Sequence, residues 1–192
     1  YLKVFDKMIV CTRFRSGNVD DNNKRGMKLS NGPNVEFKPI DKYQKNFDAI
    51  TNFKSISLQV REALQLADCA IIRLPSTIGM FAYKEAKRLG KPFAVEVVGC
   101  PWDALWNYGN IKGKVAAPIF YVLTKRFIKN SLYTMYVTKN FLQKRYPTNG
   151  KHISCSDVQV LDTSEEVLIN RMNKIRRFEL EKGIKIGMID AL

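Results

Sequence analysis

Short apolar runs alternate with stretches of helical periodicity along most of this 192-residue chain, and that alternation restricts the possible folds more than any other feature. Parallel strands need a crossover connection, usually a helix, so regular alternation of this kind favours a parallel sheet. The sequence therefore predicts an α/β fold with a Rossmann-like, doubly wound and mostly parallel sheet. The predicted strands are residues 8–14, 35–40, 70–74, 93–98, 132–137, 153–160 and 185–189.

Helical spacing and end signals predict helices between these strands, at residues 52–66, 78–89, 115–129, 139–145 and after Ser164. Gly90 is expected to end the second helix, and Thr138 and Ser164 are expected to cap the last two. Pro118 is expected in the first turn of the third helix. In the last helix, three apolar residues are predicted to form the buried face: Leu168, Met172 and Ile175.

Basic residues outnumber acidic ones by 32 to 18, which gives a net charge of +14 at pH 7. Nine of the basic residues lie between Ala104 and Ser156, where 53 consecutive residues include no Asp or Glu. Such a local excess points to an anionic partner: nucleic acid, an anionic lipid surface or a phosphorylated substrate. A basic surface that only keeps the protein soluble is the alternative.

Several classes of protein are disfavoured. Neither a membrane-spanning helix nor a secretory signal is predicted, and the dinucleotide-binding, Walker A and G-x-S-x-G motifs do not occur in the sequence. Cys69 and Cys100 fall in apolar runs, which predicts reduced core residues of a cytoplasmic protein. No metal site is expected, because His152 is the only histidine and the thiols are not clustered.

Two predicted strand ends carry unusual chemistry. At residues 73–76 the sequence R-L-P-S ends a buried strand with a guanidinium and opens a helix with a hydroxyl. Ligands of open α/β sheets bind beyond the carboxyl ends of strands, and free N–H groups at a helix start favour an anion. Arg73 and Ser76 are therefore candidate binding residues, and Gly79 would let a ligand approach. The alternative is structural: Ser76 is a helix cap and Arg73 pairs with a sheet carboxylate.

The second strand end is G-C-P-W-D at residues 99–103. Trp102 beside Asp103 suits a sugar, which stacks its ring on the indole and donates hydroxyl hydrogen bonds to the carboxylate. Glu96, inside the preceding apolar strand, needs a partner such as Arg73. Gly99 leaves the backbone open to a ligand. The alternative is that Trp102 is a core residue and that Asp103 caps the next helix.

Four segments in order carry a family resemblance: residues 1–13 (YLKVFD and CTR), 67–76, 95–103 and 136–147, of which R-x-P-S and G-x-P-W-D are the most specific. They resemble the N-terminal domain of bacterial family 4 (group 1) glycosyltransferases with the GT-B fold, in particular members that build capsular or exopolysaccharide. That resemblance implies two Rossmann-like domains around a cleft. Residues 1–182 are then expected to form the acceptor-side domain, and residues 183–192 a linker and the start of a truncated donor-binding domain.

The resemblance implies retaining, nucleotide-sugar-dependent glycosyl transfer to a lipid-linked saccharide acceptor. The protein is expected to be cytoplasmic, peripheral at the inner face of the cytoplasmic membrane. The nucleotide sugar is a co-substrate bound mainly by the C-terminal domain, no cofactor is expected, and this chain alone is expected to be inactive. The residues expected around a common hollow for the acceptor or sugar are Arg73, Ser76, Gly99, Trp102, Asp103 and Thr138, with Glu96 behind them and no catalytic residue assigned.

The predicted helix 115–129 joins apolar to basic residues, a composition that suits an anionic membrane surface. The basic residues expected to face the membrane are Lys112, Lys114, Lys125, Arg126 and Lys129. The alternative is a crossover helix that buries one apolar face against the sheet. The competing functional class is a basic nucleic-acid-binding or non-catalytic Rossmann-like module. No nucleic-acid partner is expected, because the sequence lacks a recognised binding motif.

Overall fold

A computed structural model describes residues 1–13, 32–41, 43, 48–107, 111–156 and 164–177 of the chain. The chain divides into two compact units, Tyr1–Asp157 and Val158–Leu192. The first contains both sheets and is described first. The predicted strand at 185–189, the last residues of the predicted strand at 153–160 and Phe14 lie outside the described residues.

Parallel pairing joins all the described strands. Strand β1 (Met8–Arg13) pairs with β2 (Val35–Ile40) in a two-stranded sheet. A four-stranded sheet contains β3 (Ala70–Leu74), β4 (Phe93–Val97), β5 (Tyr133–Tyr136) and β6 (Lys151–Ser154), adjacent in chain order. The predicted Rossmann-like, doubly wound α/β fold is confirmed. Because every strand of this sheet runs the same way, all four carboxyl ends meet at one edge.

Six helices are described in the first unit. They are α1 (Asp48–Thr51), α2 (Phe53–Gln65), α3 (Thr77–Leu89), α4 (Pro101–Trp106), α5 (Ile111–Lys129) and α6 (Phe141–Arg145). Ser76 caps α3, since its Oγ accepts a hydrogen bond of 2.9 Å from the Gly79 N–H. At the other end Gly90 adopts the left-handed conformation, with φ of 63°, that stops a helix. The predicted end of this helix at Gly90 is therefore confirmed, and the structural alternative given for Ser76, a helix cap, is what the structure shows.

The core lies on one face of the four-stranded sheet. Ile72, Leu74, Val95, Val97 and Tyr136 are buried in one cluster with residues of α3 and α5: Met80, Tyr83, Ala86, Phe127 and Ile128. Side chains alternate between the faces of a strand, so the residues between these core positions point to the opposite face. That opposite face carries the charged pair Arg73 and Glu96 together with several exposed apolar residues: Ile71, Tyr133 and Ile153.

Three local predictions are wrong. Cys69 is exposed because it lies in the bend before β3 rather than in the strand, and Cys100 is only partly buried. Pro118 lies inside α5 and not in its first turn, since the helix begins at Ile111. Proline has no N–H to donate to the carbonyl four residues earlier, and Pro118 is exposed, so water can solvate that carbonyl.

The second unit contributes one described helix, α7 (Glu165–Arg176). Ser164 occupies its N-cap position but makes no side-chain capping hydrogen bond. The predicted buried face is wrong, because no residue of α7 is buried and Leu168, Met172 and Ile175 are exposed. The apolar stripe is present as the spacing predicts, yet nothing within the described part of this unit covers it.

Candidate functional site at the carboxyl edge of the sheet

A cavity of about 410 Å³ lies toward the carboxyl edge, on the face of the sheet away from the core. Its size is within the range of roughly 300–1,000 Å³ that is usual for ligand pockets. It is lined by Tyr1, Arg73, Glu96, Met135, Cys155 and Ser156. Arg73, Glu96 and Met135 stand side by side on neighbouring strands, because the register pairs Arg73 with Glu96 and Glu96 with Met135. The floor of the cavity is therefore built by the sheet itself.

An ion pair spans this floor. Arg73 Nε lies 2.8 Å from Glu96 Oε2, and the two side chains are 59% and 5% exposed, respectively. The pairing that was predicted from the sequence is confirmed. Burial, and next the neighbouring Glu96 carboxylate, raise the pKa of the Tyr1 phenol. The cavity thus offers a guanidinium open to solvent, while the carboxylate beneath it is withdrawn from direct access.

Removing the guanidinium should destabilise the protein because it leaves the buried Glu96 charge without its partner. We expect Arg73→Ala to lower the free energy of unfolding by about 1–3 kcal/mol, the cost of an unsatisfied buried polar group. The Glu96→Gln substitution made in the same chain should restore part of that loss. A double-mutant cycle on urea unfolding measures the coupling. Equal and additive losses in the two single variants would contradict the role given to this pair.

A second cluster forms where the segment after β4 meets the segment after β5. Asp103, in the first turn of α4, accepts a hydrogen bond of 3.3 Å at Oδ1 from Arg145 Nη2 in α6. Cys100 Sγ lies 3.1 Å from the Tyr146 hydroxyl, and burial, followed by the Cys100 contact, raises the pKa of that phenol. Arg145 also lies over the Tyr121 ring, 5.8 Å from its centroid. These contacts fix the orientation of a carboxylate whose side chain remains 45% exposed.

Two stacked indoles lie beside this carboxylate. Trp102 and Trp106 have centroids 5.1 Å apart and planes inclined by 11°, and the rings of Trp102 and Tyr121 meet nearly at right angles. Trp102 is partly buried, whereas Trp106 is exposed. One face of Trp102 is thus occupied by Trp106. Trp106 is 43% exposed, with Lys114 Nζ over its ring, and is the more accessible of the two aromatic surfaces for a sugar ring. Trp106 was not predicted as a site residue, although its spacing of four residues from Trp102 places both on one helix face.

Thr138 belongs to a hydrogen-bonded network at the ends of β5 and β6. Its Oγ1 accepts a bond of 3.1 Å from the Leu142 N–H, which gives α6 the capping contact that was predicted, although Asn140 holds the N-cap position. Gln143 Nε2 donates to the Thr138 carbonyl and also to Ser154 Oγ, the latter at 2.7 Å. The network holds the loop after β5 against β6, so Thr138 has a structural role in the described chain.

The predicted site residues fall into two groups rather than around one hollow. Arg73 and Glu96 line the cavity, whereas Trp102 packs against Tyr121 of α5, on the face that contains the core. Asp103 pairs with Arg145, which lies over the same Tyr121 ring. Gly99 has open space where a Cβ would stand, as a ligand approach requires. Ser76 is exposed, but its hydroxyl also bonds the Arg73 carbonyl oxygen at 3.0 Å.

Gly79 does not open a path for a ligand. A Cβ at this position would overlap the Arg73 carbonyl oxygen, so the missing side chain makes room for the backbone of β3. The partner of Asp103 was also not predicted, since Arg145 is 42 residues away and only the fold brings the two together. Nothing in the sequence near Pro147 indicates that the Arg145 side chain reaches Asp103.

Comparison with known proteins gives one informative relative. Over all 192 residues the chain is 36% identical to Protein CapJ of Staphylococcus aureus. The chain spans 46% of the length of that protein, so it corresponds to about half of it. No family model and no solved structure matches the chain. Within the described residues, no group of three or more His, Cys, Asp or Glu side chains is placed to hold a metal ion.

Proposed function

We propose that this chain is the acceptor-side, N-terminal half of a retaining, nucleotide-sugar-dependent glycosyltransferase of the GT-B type that acts in capsular or exopolysaccharide biosynthesis. The observation that carries the proposal is the oriented Asp103 carboxylate beside the exposed Trp106 indole at the carboxyl edge of the sheet. An aromatic face next to a fixed carboxylate suits a pyranose ring and its hydroxyls. The 36% identity to Protein CapJ supports a role in capsule biosynthesis.

The reaction breaks the bond between the anomeric carbon and the diphosphate of the donor, and forms a bond from that carbon to an acceptor hydroxyl oxygen, whose proton passes to the departing diphosphate. Positive charge develops on the sugar ring while negative charge develops on the departing diphosphate, so positioning and electrostatics dominate catalysis. Asp103, held by Arg145, accepts hydrogen bonds from sugar hydroxyls and fixes the acceptor. The Arg73 guanidinium in the cavity suits a phosphate or another anionic group. The nucleotide sugar itself is assigned mainly to the C-terminal half of the protein.

The test uses the full reading frame that contains this chain. Lipids are extracted from cells that lack the gene, in which the unglycosylated acceptor accumulates, and are incubated with the purified protein and one radiolabelled nucleotide sugar at a time. We expect one donor to label the lipid fraction, with retained anomeric configuration in the product. Lipids from cells with the intact gene should be labelled much less. If a folded, full-length preparation transfers no sugar from any donor, and the deletion leaves the capsule unchanged, the proposal fails.

A further inference from the structure

Helix α5 buries one face and leaves a second apolar stripe in solvent. Its buried side includes Gly113, Ala117, Thr124, Phe127 and Ile128. Four large apolar side chains on the opposite side are exposed by 56% to 81%: Ile111, Val115, Ile119 and Val122. At 100° per residue these four fall within an arc of about 80°, so they form one continuous stripe. Exposed Pro118 lies beside them.

Basic residues border this stripe on both sides. Lys114 and Lys125 lie along one border and Lys112 along the other, while Arg126 and Lys129 continue the stripe in the last turns, and all five are exposed. No acidic residue occurs anywhere between Ala104 and Ser156 to balance them. The outer face of α5 is therefore an apolar stripe bordered by positive charges. A helix that only connects two strands of a sheet does not need this pattern.

We propose that the outer face of α5 binds the surface of an anionic lipid bilayer, with the helix lying in the plane of the interface. This outer face consists of the four exposed apolar residues and the five basic residues named above. Interfacial helices combine an apolar strip that enters the acyl boundary with Lys and Arg that reach the headgroups. No helix among the described residues is long and apolar enough to cross a membrane, and α5 itself, at 19 residues, is interrupted by charges. The buried face of α5 agrees with the crossover alternative, and the membrane surface is proposed for the opposite face.

Trp106 also supports an orientation in which the outer face of α5 lies against the bilayer. Trp106 is exposed at the end of α4, and Lys114 Nζ lies 6.0 Å from the centroid of its ring. Indoles favour the boundary between lipid and water because one part of the ring is apolar and the N–H is polar. The apolar stripe also argues against nucleic acid as the partner, since a phosphate backbone is bound by charge and needs no aliphatic surface.

Co-sedimentation with vesicles tests the proposal. The full-length protein is mixed with vesicles of phosphatidylcholine alone or with about one third phosphatidylglycerol, without any saccharide acceptor. We expect binding to the anionic vesicles only, weakened by salt. Lys125→Gln with Arg126→Gln should lower the partition coefficient about thirtyfold, given the contribution of each surface cation. Ile119→Ser with Val122→Ser should lower it at least tenfold through lost apolar burial.

Matched controls change the same chemistry on another surface. Lys54→Gln with Lys84→Gln removes two exposed positive charges from α2 and α3, and Leu58→Ser with Leu66→Ser removes two exposed leucines from α2 and its end. Both control variants should bind anionic vesicles as the wild-type protein does. Equal recovery with neutral and anionic vesicles, or loss of binding in the controls to the same extent, would overturn the proposal. So would tighter binding to random duplex DNA than to anionic vesicles at the same salt concentration.

Because these vesicles contain no acceptor, the outcome does not depend on the proposed transferase activity. A protein that binds vesicles but transfers no sugar would refute the function and keep the interface. A protein that transfers sugar to a detergent-solubilised acceptor but does not bind vesicles would refute the interface and keep the function.

Discussion

Replacing Gly79 with alanine is expected to lower the free energy of unfolding by roughly 3 kcal/mol, the upper part of the range for an overpacked interior. The added Cβ would overlap the Arg73 carbonyl oxygen and would lie 2.7 Å from Ser76 Oγ. Both oxygens are held in place, since Ser76 Oγ donates to the Arg73 carbonyl and accepts from the Gly79 N–H. Relief of the overlap would require separation of the first turn of α3 from the end of β3. Urea unfolding followed by far-UV circular dichroism measures the loss.

Gly99 provides the matched control for this substitution. It lies at the same edge of the sheet, after β4, but a Cβ built on it meets no atom within 4 Å. Gly99→Ala should therefore leave the unfolding midpoint unchanged or raise it slightly, because alanine restricts the unfolded chain. Similar losses for the two variants would mean that the backbone contact at Gly79 does not determine its effect.

The elements were predictable where local signals coincide. Strand β2 and strand β3 have the predicted bounds, because β2 alternates apolar with charged residues and β3 is a short apolar run. The end of α3 was equally clear, since Gly90 takes the left-handed conformation that other residues avoid. The start of α5 was not. Gly113 has weak helix propensity, yet it is buried and α4 packs against α5, so tertiary packing overrides the local preference.

The candidate site was predictable as far as strand pairing determines it. Arg73 and Glu96 were expected to meet because neighbouring parallel strands present their last residues side by side, and the register confirms it. The partner of Asp103 depends on where α6 packs, which periodicity along one segment does not encode. The two groups of site residues were expected in one hollow because both follow strand ends. The sequence does not indicate on which face of the sheet each segment turns.

Replacing Asp103 with alanine should produce the largest loss of activity among single substitutions in this chain. If Asp103 accepts hydrogen bonds from acceptor hydroxyls, its removal forfeits charged hydrogen bonds of about 1.5–3 kcal/mol, which corresponds to roughly a 10- to 150-fold lower kcat/KM. Folding should change little, because the Asp103–Arg145 pair is partly exposed and such pairs contribute at most about 1 kcal/mol. The measurement is sugar transfer to the lipid acceptor by the full-length variant, with urea unfolding measured in parallel.

Asp68→Ala is the matched control for that substitution, since Asp68 is an exposed aspartate just before β3, at the amino edge of the same sheet. It should leave kcat/KM unchanged, because ligands of parallel α/β sheets bind at the carboxyl ends of the strands. Asp103→Asn separates charge from shape: the amide keeps one oxygen acceptor, so it should retain more activity than alanine but less than the carboxylate. Normal transfer by a folded Asp103→Ala variant would show that the Asp103 carboxylate does not bind the acceptor. The Arg73 cavity on the other face of the sheet would then be the remaining place for the acceptor.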